Sequence, residues 1–470
     1  MNKKFFITTA IPYVNAKPHV GHALEFTQAD VIKRFHKLLG EDALLLSGSD
    51  ENALKNVQAA EAAGVDIQTF VDENSKLFQH LAEKLNVEFD AFQKGSSKSH
   101  FASSQELWKR CSEAGDIYKK EYSGLYCVGC ELFYEAEELN ENGECFEHPG
   151  KKLETVAEEN YFFKLSKYES CIRKLIEEDE LKIIPQSRKN EVLSFLKQDL
   201  KDISISRSNA RAKNWGVPIP EDNSQRMYVW FDALNIYRSG LTEKYEKFWP
   251  ADVHIIGKGI TRFHAIYWPA FLLSAKLPLP KSLFVHGYLT VDGQKMSKTI
   301  GNVIDPIDLI EKYGAEALRY YFLREIPSTE DGNFSEEKLK TLYNADLANG
   351  LGNLVARVAK LAENVSLSFS SKHTPKLFKE VETYLNDYRF NDALSNIWGR
   401  IKIVDQEINQ DEPWKIEDNK KLEEKLWNYS RAIRDVAFDL QPFLPQTAEK
   451  ILKQFSGEIK SSVPLFPRFV

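Results

Sequence analysis

His19 and His22 bracket Val20-Gly21, and their spacing suits them to bind an anion or a flat ring. Three residues apart at the start of a helix, two imidazoles share one face. Gly21 between them lets a flat ligand come close to the backbone. The elements needed to hold them can be read on either side. Phe5–Ile11 is an apolar, β-branched run that predicts a short buried strand. Pro12, Asn15, Ala16 and Pro18 then force a turn. Ala23–Leu39 carries Leu24, Val31, Phe35 and Leu38 at the spacing of an amphipathic helix. Strand, tight loop and helix present a helix N-terminus whose free N–H groups favour an anion such as a phosphate.

Two further groups could do chemistry. Lys295 and Lys298 lie in Asp292-Gly-Gln-Lys-Met-Ser-Lys-Thr299, a loop flanked by Gly293, where lysines act as mobile point charges. Cys127-Val-Gly-Cys130 is followed, after fourteen residues, by Cys145-Phe-Glu-His148. A CxxC pair and a CxxH pair match a tetrahedral zinc site, structural because four protein ligands leave no open position.

The 470 residues suffice for two to four domains with real cores. A net charge of −7 argues against gripping nucleic acid by bulk electrostatics but leaves room for a local basic face. Five cysteines do not make a disulfide framework. No apolar run is long enough to span a bilayer, and the first residues lack a signal-peptide pattern, so the expectation is a cytoplasmic protein with no membrane contact.

Alternating strand and helix patterns run through residues 1–115, with Asp42–Leu46 as a second strand ending in the polar loop Ser47–Asn52. Helical patterns follow at Glu51–Ala63, Ile67–Leu85 and Ser103–Ala114. A ligand belongs at such a loop beyond the carboxyl end of a parallel strand. Residues 116–226 read as an insertion, aromatic and β-rich around the cysteines. Residues 227–300 resume the α/β pattern: apolar strands at Met227–Ala233, Val253–Ile256 and Leu283–Tyr288, and a helix from Ile260 to Ala275. Residues 301–335 connect to an all-α segment, 336–470, with long patterns at Ser335–Leu367, Lys376–Glu407 and Asn419–Leu440. The fold class is α/β, a Rossmann-type parallel sheet split by a zinc-binding insertion and followed by an all-α domain.

HVGH (His19–His22) near the start of the split domain and KMSKT (Lys295–Thr299) after its last strand together resemble the two signatures of class I aminoacyl-tRNA synthetases. Within that class the chain resembles the methionyl-tRNA synthetases over nearly its whole length. TTAIPYVNAKPHVGH, YSGLYCVGCELFY, YVWFDAL, IGKGITRFHAIYWPAFL and GNVIDPIDLIEKYGAEALRYYFLREIP carry the match.

The resemblance implies ATP-dependent activation of L-methionine to methionyl-adenylate, then transfer to the 3′ end of tRNA(Met). It implies ATP with Mg2+ as substrate, one structural zinc per chain on Cys127, Cys130, Cys145 and His148, and catalytic roles for His19, His22, Lys295 and Lys298. Charge develops on phosphate oxygens as the carboxylate attacks, so placed donors and cations lower the barrier. Gly21, Glu25 and Gly257 join those four at ATP. Ala10, Ile11, Tyr13, Trp230, Ala233, Leu234, Tyr237, Ile260 and His264 form the methionine pocket, with Asp50 on the ammonium and Arg207 as its ionic neighbour. A linear thioether suits an apolar pocket with aromatic walls. Asn353, Arg357 and Trp414 meet the CAU anticodon, two as readers of base edges and one as a ring to stack on. A monomer is expected, because the chain ends soon after the helical domain.

The sequence departs from the family pattern at three places. Ser49-Asp-Glu-Asn-Ala53 stands where the family has Thr-Asp-Glu-His-Gly, Gly257-Lys-Gly259 replaces Gly-Lys-Asp, and KMSKT replaces KMSKS. Loss of the Gly-Lys-Asp carboxylate predicts weaker ATP binding or compensation by Glu25. An insertion of this length cannot hold the large editing module of the leucyl, isoleucyl and valyl enzymes. A cysteinyl enzyme would need zinc in its catalytic site. A small-molecule adenylyltransferase would need neither KMSKT nor the helical appendix, and a non-enzymatic zinc and RNA-binding module would need neither signature.

Overall fold

The computed structural model describes residues 3–129, 132–134, 138–146, 150–296, 301–369 and 374–469. They divide into two compact units. The first comprises residues 1–18, 42–83 and 88–286, and the second comprises 19–41, 84–87 and 287–470.

The first unit is built on a six-stranded sheet. Its order is Ala91–Lys94, Asp42–Ser49, Lys4–Thr9, Val253–Gly257, Ser282–His286 and Lys182–Ile184, every pair parallel. Strands covered on both faces read as continuous apolar runs rather than alternations. Phe6, Ile7, Leu45, Leu46, Val253, Ile255, Phe284 and Val285 are accordingly all buried. The register of the first strand is pinned at its start, where Phe6 N–H donates to Asp252 Oδ2 at 2.7 Å.

Two features differ from the sequence expectation. The 227–233 run is not a strand: the strand is Asp222–Met227, in a small antiparallel sheet, and Val229–Ala233 is a helical turn. A short continuous apolar run fits a buried helix as well as a buried strand, so periodicity could not separate them. The second feature is the edge strand Lys182–Ile184, which comes from within the insertion and pairs with Ser282–Phe284. Elsewhere the insertion forms a four-stranded antiparallel sheet, Leu132–Tyr134, Ile117–Cys127, Glu154–Phe163 and Ile203–Ser204.

The second unit is mostly helical. Its first helix, Val20–Leu38, buries Val20, Leu24, Val31, Ile32 and Phe35. The expected pattern at 335–367 is a nearly continuous helical rod whose middle, Tyr343–Gly352, is π-helical, before Asn353–Asn364. The pattern at 376–407 is two helices, Lys379–Asn386 and Phe390–Asp411, broken where Tyr388 takes a left-handed φ of 56°. Asn419–Leu440 and Pro445–Gln454 complete the set. Among the described residues no helix is long and apolar enough to cross a membrane.

Candidate functional site

In the second unit the two signature histidines form the cap of the helix Val20–Leu38. His19 Nδ1 accepts from Gly21 N–H at 3.1 Å, and His22 Nδ1 accepts from His19 N–H at 3.1 Å. A helix start leaves N–H groups without intrahelical partners, and a reciprocal pair of side-chain acceptors satisfies two of them. Using both Nδ1 atoms as acceptors puts the proton of each neutral ring on Nε2, so each ring is left with an Nε2–H donor. The rings lie 3.9 Å apart at 35°. Lost hydration holds His19 down to about 4, so it is neutral near pH 7.

Gly21 is required by this arrangement. A Cβ there would stand 2.9 Å from His19 Cε1 and 3.0 Å from its Nδ1, and the next residue in reach would be Met296, with Cε at 3.8 Å. Met296 belongs to KMSKT, so the second unit brings one residue of each signature together. Lys295 pairs through its backbone with Thr290. Lys298 lies outside the described residues. Glu25 is buried on the same helix as the histidines. Gly257, also expected at ATP, ends the strand Val253–Gly257 in the first unit, where it pairs with His286.

The expected methionine residues all fall in the first unit. Tyr13 forms an isolated parallel bridge with Asp50, whose N–H donates to the Pro12 carbonyl at 2.9 Å. The Tyr13 ring meets Trp230 edge-on, with centroids 6.4 Å apart at 86°. Trp230 is stacked on Phe263 at 3.8 Å and 4°. Such aromatic pairs add about 0.5–1.5 kcal/mol beyond burial. Ala233, Leu234 and Tyr237 continue from the helical turn of Trp230 and are buried, while Ala10, Ile11 and Ile260 are half-buried against the same core.

His264 sits in a π-helical turn, Phe263–Tyr267, just before the α-helix Trp268–Ser274. Pro269 lacks an N–H and would crowd the carbonyl four residues back, and a widened turn relieves that. His264 Nδ1–H donates to the Ile260 carbonyl at 2.9 Å, so Nε2 is the acceptor for Tyr237 Oη at 2.6 Å. Burial lowers the His264 pKa to about 4. The Tyr237 hydroxyl proton is therefore directed at His264, and Tyr237 offers lone pairs elsewhere.

Several residues that the sequence reading missed complete this region. His254 lies under Tyr237, with ring centroids 4.4 Å apart, and its Nδ1 is 2.6 Å from Thr8 Oγ1. Complete burial and the nearby His264 keep its pKa well below the usual histidine value. Asn52, Asp232 and His100 form a buried polar cluster behind Trp230. Arg207 donates from Nη2 to the Asn52 carbonyl at 2.9 Å, two residues on from Asp50. Two signals were available, the Asn52 departure from the family pattern and the place of Asp232 within YVWFDAL; His254 and His100 stand in no local motif.

In the second unit Asn353 and Arg357 occupy successive turns of one helix. The Arg357 guanidinium lies 5.1 Å from the centroid of the Trp414 ring, which is 53% exposed. Asp405 at 3.2 Å and Asn409 Oδ1 at 2.6 Å hold the guanidinium in place. In the insertion, Cys127 and Cys145 are buried with their sulfurs 3.3 Å apart. That is far beyond a disulfide bond of about 2.05 Å and within reach of a shared tetrahedral ion. Cys130 and His148 lie outside the described residues, and no cluster of three or more metal-binding side chains occurs among the described ones.

The comparisons with known proteins agree on one family. The family profile described as "tRNA synthetases class I (M)" matches residues 5–359. The methionine–tRNA ligase of Brucella suis biovar 1 is 40% identical over 512 aligned positions, covering 100% of this chain and 98% of the relative. That of Nostoc sp. is 40% identical, covering 96% and 90%. Mycobacterium tuberculosis methionyl-tRNA synthetase in complex with methionyl-adenylate superposes with a TM-score of 0.91 at 36% identity, covering 99% of this chain and 100% of that one. The free form of the same enzyme gives 0.84 at 32%, covering 100% and 99%. With a profile matching well over half of its length and relatives matching nearly all of it, the chain belongs to the methionyl-tRNA synthetases of class I.

Proposed function

We propose that the pocket of the first unit holds L-methionine during the reaction of this family, ATP-dependent ligation of methionine to tRNA(Met). Trp230, Tyr13, Ala233, Leu234, Tyr237 and His264 surround the thioether side chain, and Asp50 takes the ammonium. Dispersion and sulfur–ring contacts select the side chain, each sulfur–ring contact being worth about 0.3–1.5 kcal/mol. The support is an aromatic wall built by Trp230 on Phe263, next to the His264 ring, which burial keeps neutral and Tyr237 and Ile260 orient.

In the second unit His19 and His22 donate from Nε2 to phosphate oxygens of ATP, and Lys295 and Lys298 stabilise the departing pyrophosphate. The methionine carboxylate attacks the α-phosphorus, a P–O bond forms, and pyrophosphate leaves. A terminal ribose hydroxyl of tRNA then attacks the adenylate carbonyl, and AMP leaves. Placed donors lower the first barrier by stabilising charge that grows on oxygen. Mg2+ accompanies ATP as part of the substrate. The single observation that carries this assignment is the meeting of the signatures, with Met296 Cε 3.8 Å from where a Gly21 Cβ would stand.

Asn353, Arg357 and Trp414 contact the anticodon, Trp414 by stacking. Cys127, Cys130, Cys145 and His148 hold one zinc, which ties the insertion together and takes no part in the reaction. The exposed Cys171 and buried Cys111, both free thiols, support a reducing, cytoplasmic compartment. The deciding experiment is ATP–pyrophosphate exchange with the purified chain. Exchange driven by methionine and not by leucine or cysteine is the expected result, and exchange driven by either of those without methionine overturns it.

A further inference from the structure

Asp50 and Trp230 are far apart in the chain, yet a closed circuit of contacts joins them. On one side Asp50 bridges to Tyr13, whose ring abuts Trp230. On the other side Asn52, two residues beyond Asp50, reaches 180 positions along the chain: its Nδ2 donates to Asp232 Oδ2 at 2.6 Å. Asp232 lies on the same helical turn as Trp230, two residues on. The same amide group donates to the Gly95 carbonyl at 2.9 Å, and the Asn52 carbonyl accepts from Arg207. His100 Nε2 stands 3.3 Å from Asp232 Oδ2, and its Nδ1 is 2.8 Å from Ser239 Oγ. Asn52 and Asp232 are each 1% exposed.

We infer that Asn52 is a positioning residue that fixes the spacing between the Asp50 carboxylate and the Trp230 wall, and so the length of amino acid the pocket accepts. The inference rests on the assignment of these two residues to the substrate ammonium and side chain. Asn52 itself need not touch the substrate. Buried polar groups held by short bonds tolerate little displacement, because a lost partner leaves a desolvated acceptor behind. One side-chain amide ties the loop of Asp50 to the turn of Trp230 and to Gly95, and with Arg207 on the Asn52 main-chain carbonyl that loop has no separate freedom. Tyr13 closes the circuit from the other face, so a change in either link alters one distance, that between the carboxylate and the indole.

The test uses methionine-dependent pyrophosphate exchange by the full chain, with ethionine (one methylene longer) and homocysteine (one methyl shorter) as competitors. Asn52→Ala is expected to raise the KM for methionine about fivefold or more, leave the KM for ATP within about twofold, and lower the preference for methionine over ethionine about fivefold. Asn52→Asp sets two carboxyl groups face to face and should be worse. Adding Asp232→Asn to it restores a donor opposite an acceptor and should recover part of the selectivity. Asn52→His, which keeps a ring N–H, should retain most of it. If Asn52→Ala does not fold, Asp232→Asn alone, which keeps shape and an acceptor, should shift selectivity in the same direction by less. A fall in kcat with both KM values and the analogue preference unchanged would show that Asn52 only holds the fold, and would overturn the inference. Asp50→Asn separates the two claims. If that variant leaves the KM for methionine unchanged, the pocket assignment fails. If it raises the KM while Asn52→Ala changes nothing, only the positioning role fails.

Discussion

Arg319 and Asp30 form an ion pair 2.7 Å long with both side chains withdrawn from solvent. The guanidinium also donates to the carbonyls of Leu85, Pro442 and Phe443, and Asp30 takes a second cation, Arg34, at 2.7 Å. The pair therefore links the helix that carries the histidines, the short 84–87 segment and the turn before Pro445–Gln454, all within the second unit. Removing one member of a buried pair leaves an uncompensated charge and costs about 3–5 kcal/mol, whereas an exposed pair is worth about 1 kcal/mol or less. Arg319→Met should lower the melting temperature by roughly 10 °C. Lys281→Ala, which breaks the exposed pair with Asp252, should leave it nearly unchanged. Equal shifts in the two variants would contradict this account.

Stability should depend on pH through His264. Its folded pKa is about 4, against about 6.5 in the unfolded chain. Between those values the unfolded chain binds more protons, so the stabilisation is complete above about pH 6.5 and is lost as pH falls toward 4. His264→Gln keeps a donor for the Ile260 carbonyl and an acceptor for Tyr237 without titrating in this range. The loss of melting temperature from pH 7 to pH 5 should be smaller in that variant than in the parent. An identical loss would place the titration elsewhere.

Gly21→Ala should fold and fail to activate. Its Cβ would press on the His19 ring at 2.9 Å, so the ring must turn away and give up its place on the helix cap. Methionine-dependent exchange should fall about tenfold or more, the usual cost of misplacing one transition-state donor. A second substitution, His22→Ala, should fall by a similar factor. Unchanged exchange in Gly21→Ala would mean that the ring geometry is not used.

Trp414→Ala should separate the two half-reactions. The ring is exposed and lies beside the Arg357 guanidinium, so its loss removes a stacking surface of about 1–3 kcal/mol without touching the first unit. Charging of tRNA should become at least about fivefold less efficient while exchange is unaltered. Equal losses in both assays would refute an anticodon role.

Elemental analysis should find about one zinc per chain, and none in Cys127→Ser. The variant should also melt at a lower temperature. Full zinc occupancy in Cys127→Ser would remove Cys127 from the ligand set.

The sequence carried the chemistry of this protein more openly than its geometry. HVGH and KMSKT could be recognised because each is a run of neighbouring residues, and the parallel sheet was legible because its strands are apolar throughout. The pairing of Asn52 with Asp232 was not, since it joins residues 180 positions apart and neither local stretch points to the other. His254 reads as one more residue of a buried strand until its ring is seen under Tyr237. Lys182–Ile184 has only three residues, too few for any periodicity, and its place at the sheet edge depends on its partner Ser282–Phe284. The Met227–Ala233 run misled because burial on all sides erases the difference between a strand and a helical turn.

The π-helical turn Phe263–Tyr267 makes this part of the chain sensitive to length as well as to composition. A wide turn amounts to one residue inserted into an α-helix, and each helical residue advances the chain by about 100°. Deleting a single residue from the turn would close it to a regular helical turn and move the residues inside it to new faces. Phe263 would leave the face of Trp230, and His264 would lose Tyr237. Loss of one codon, with no change in the kinds of side chain present, would thus dismantle the wall proposed for the thioether.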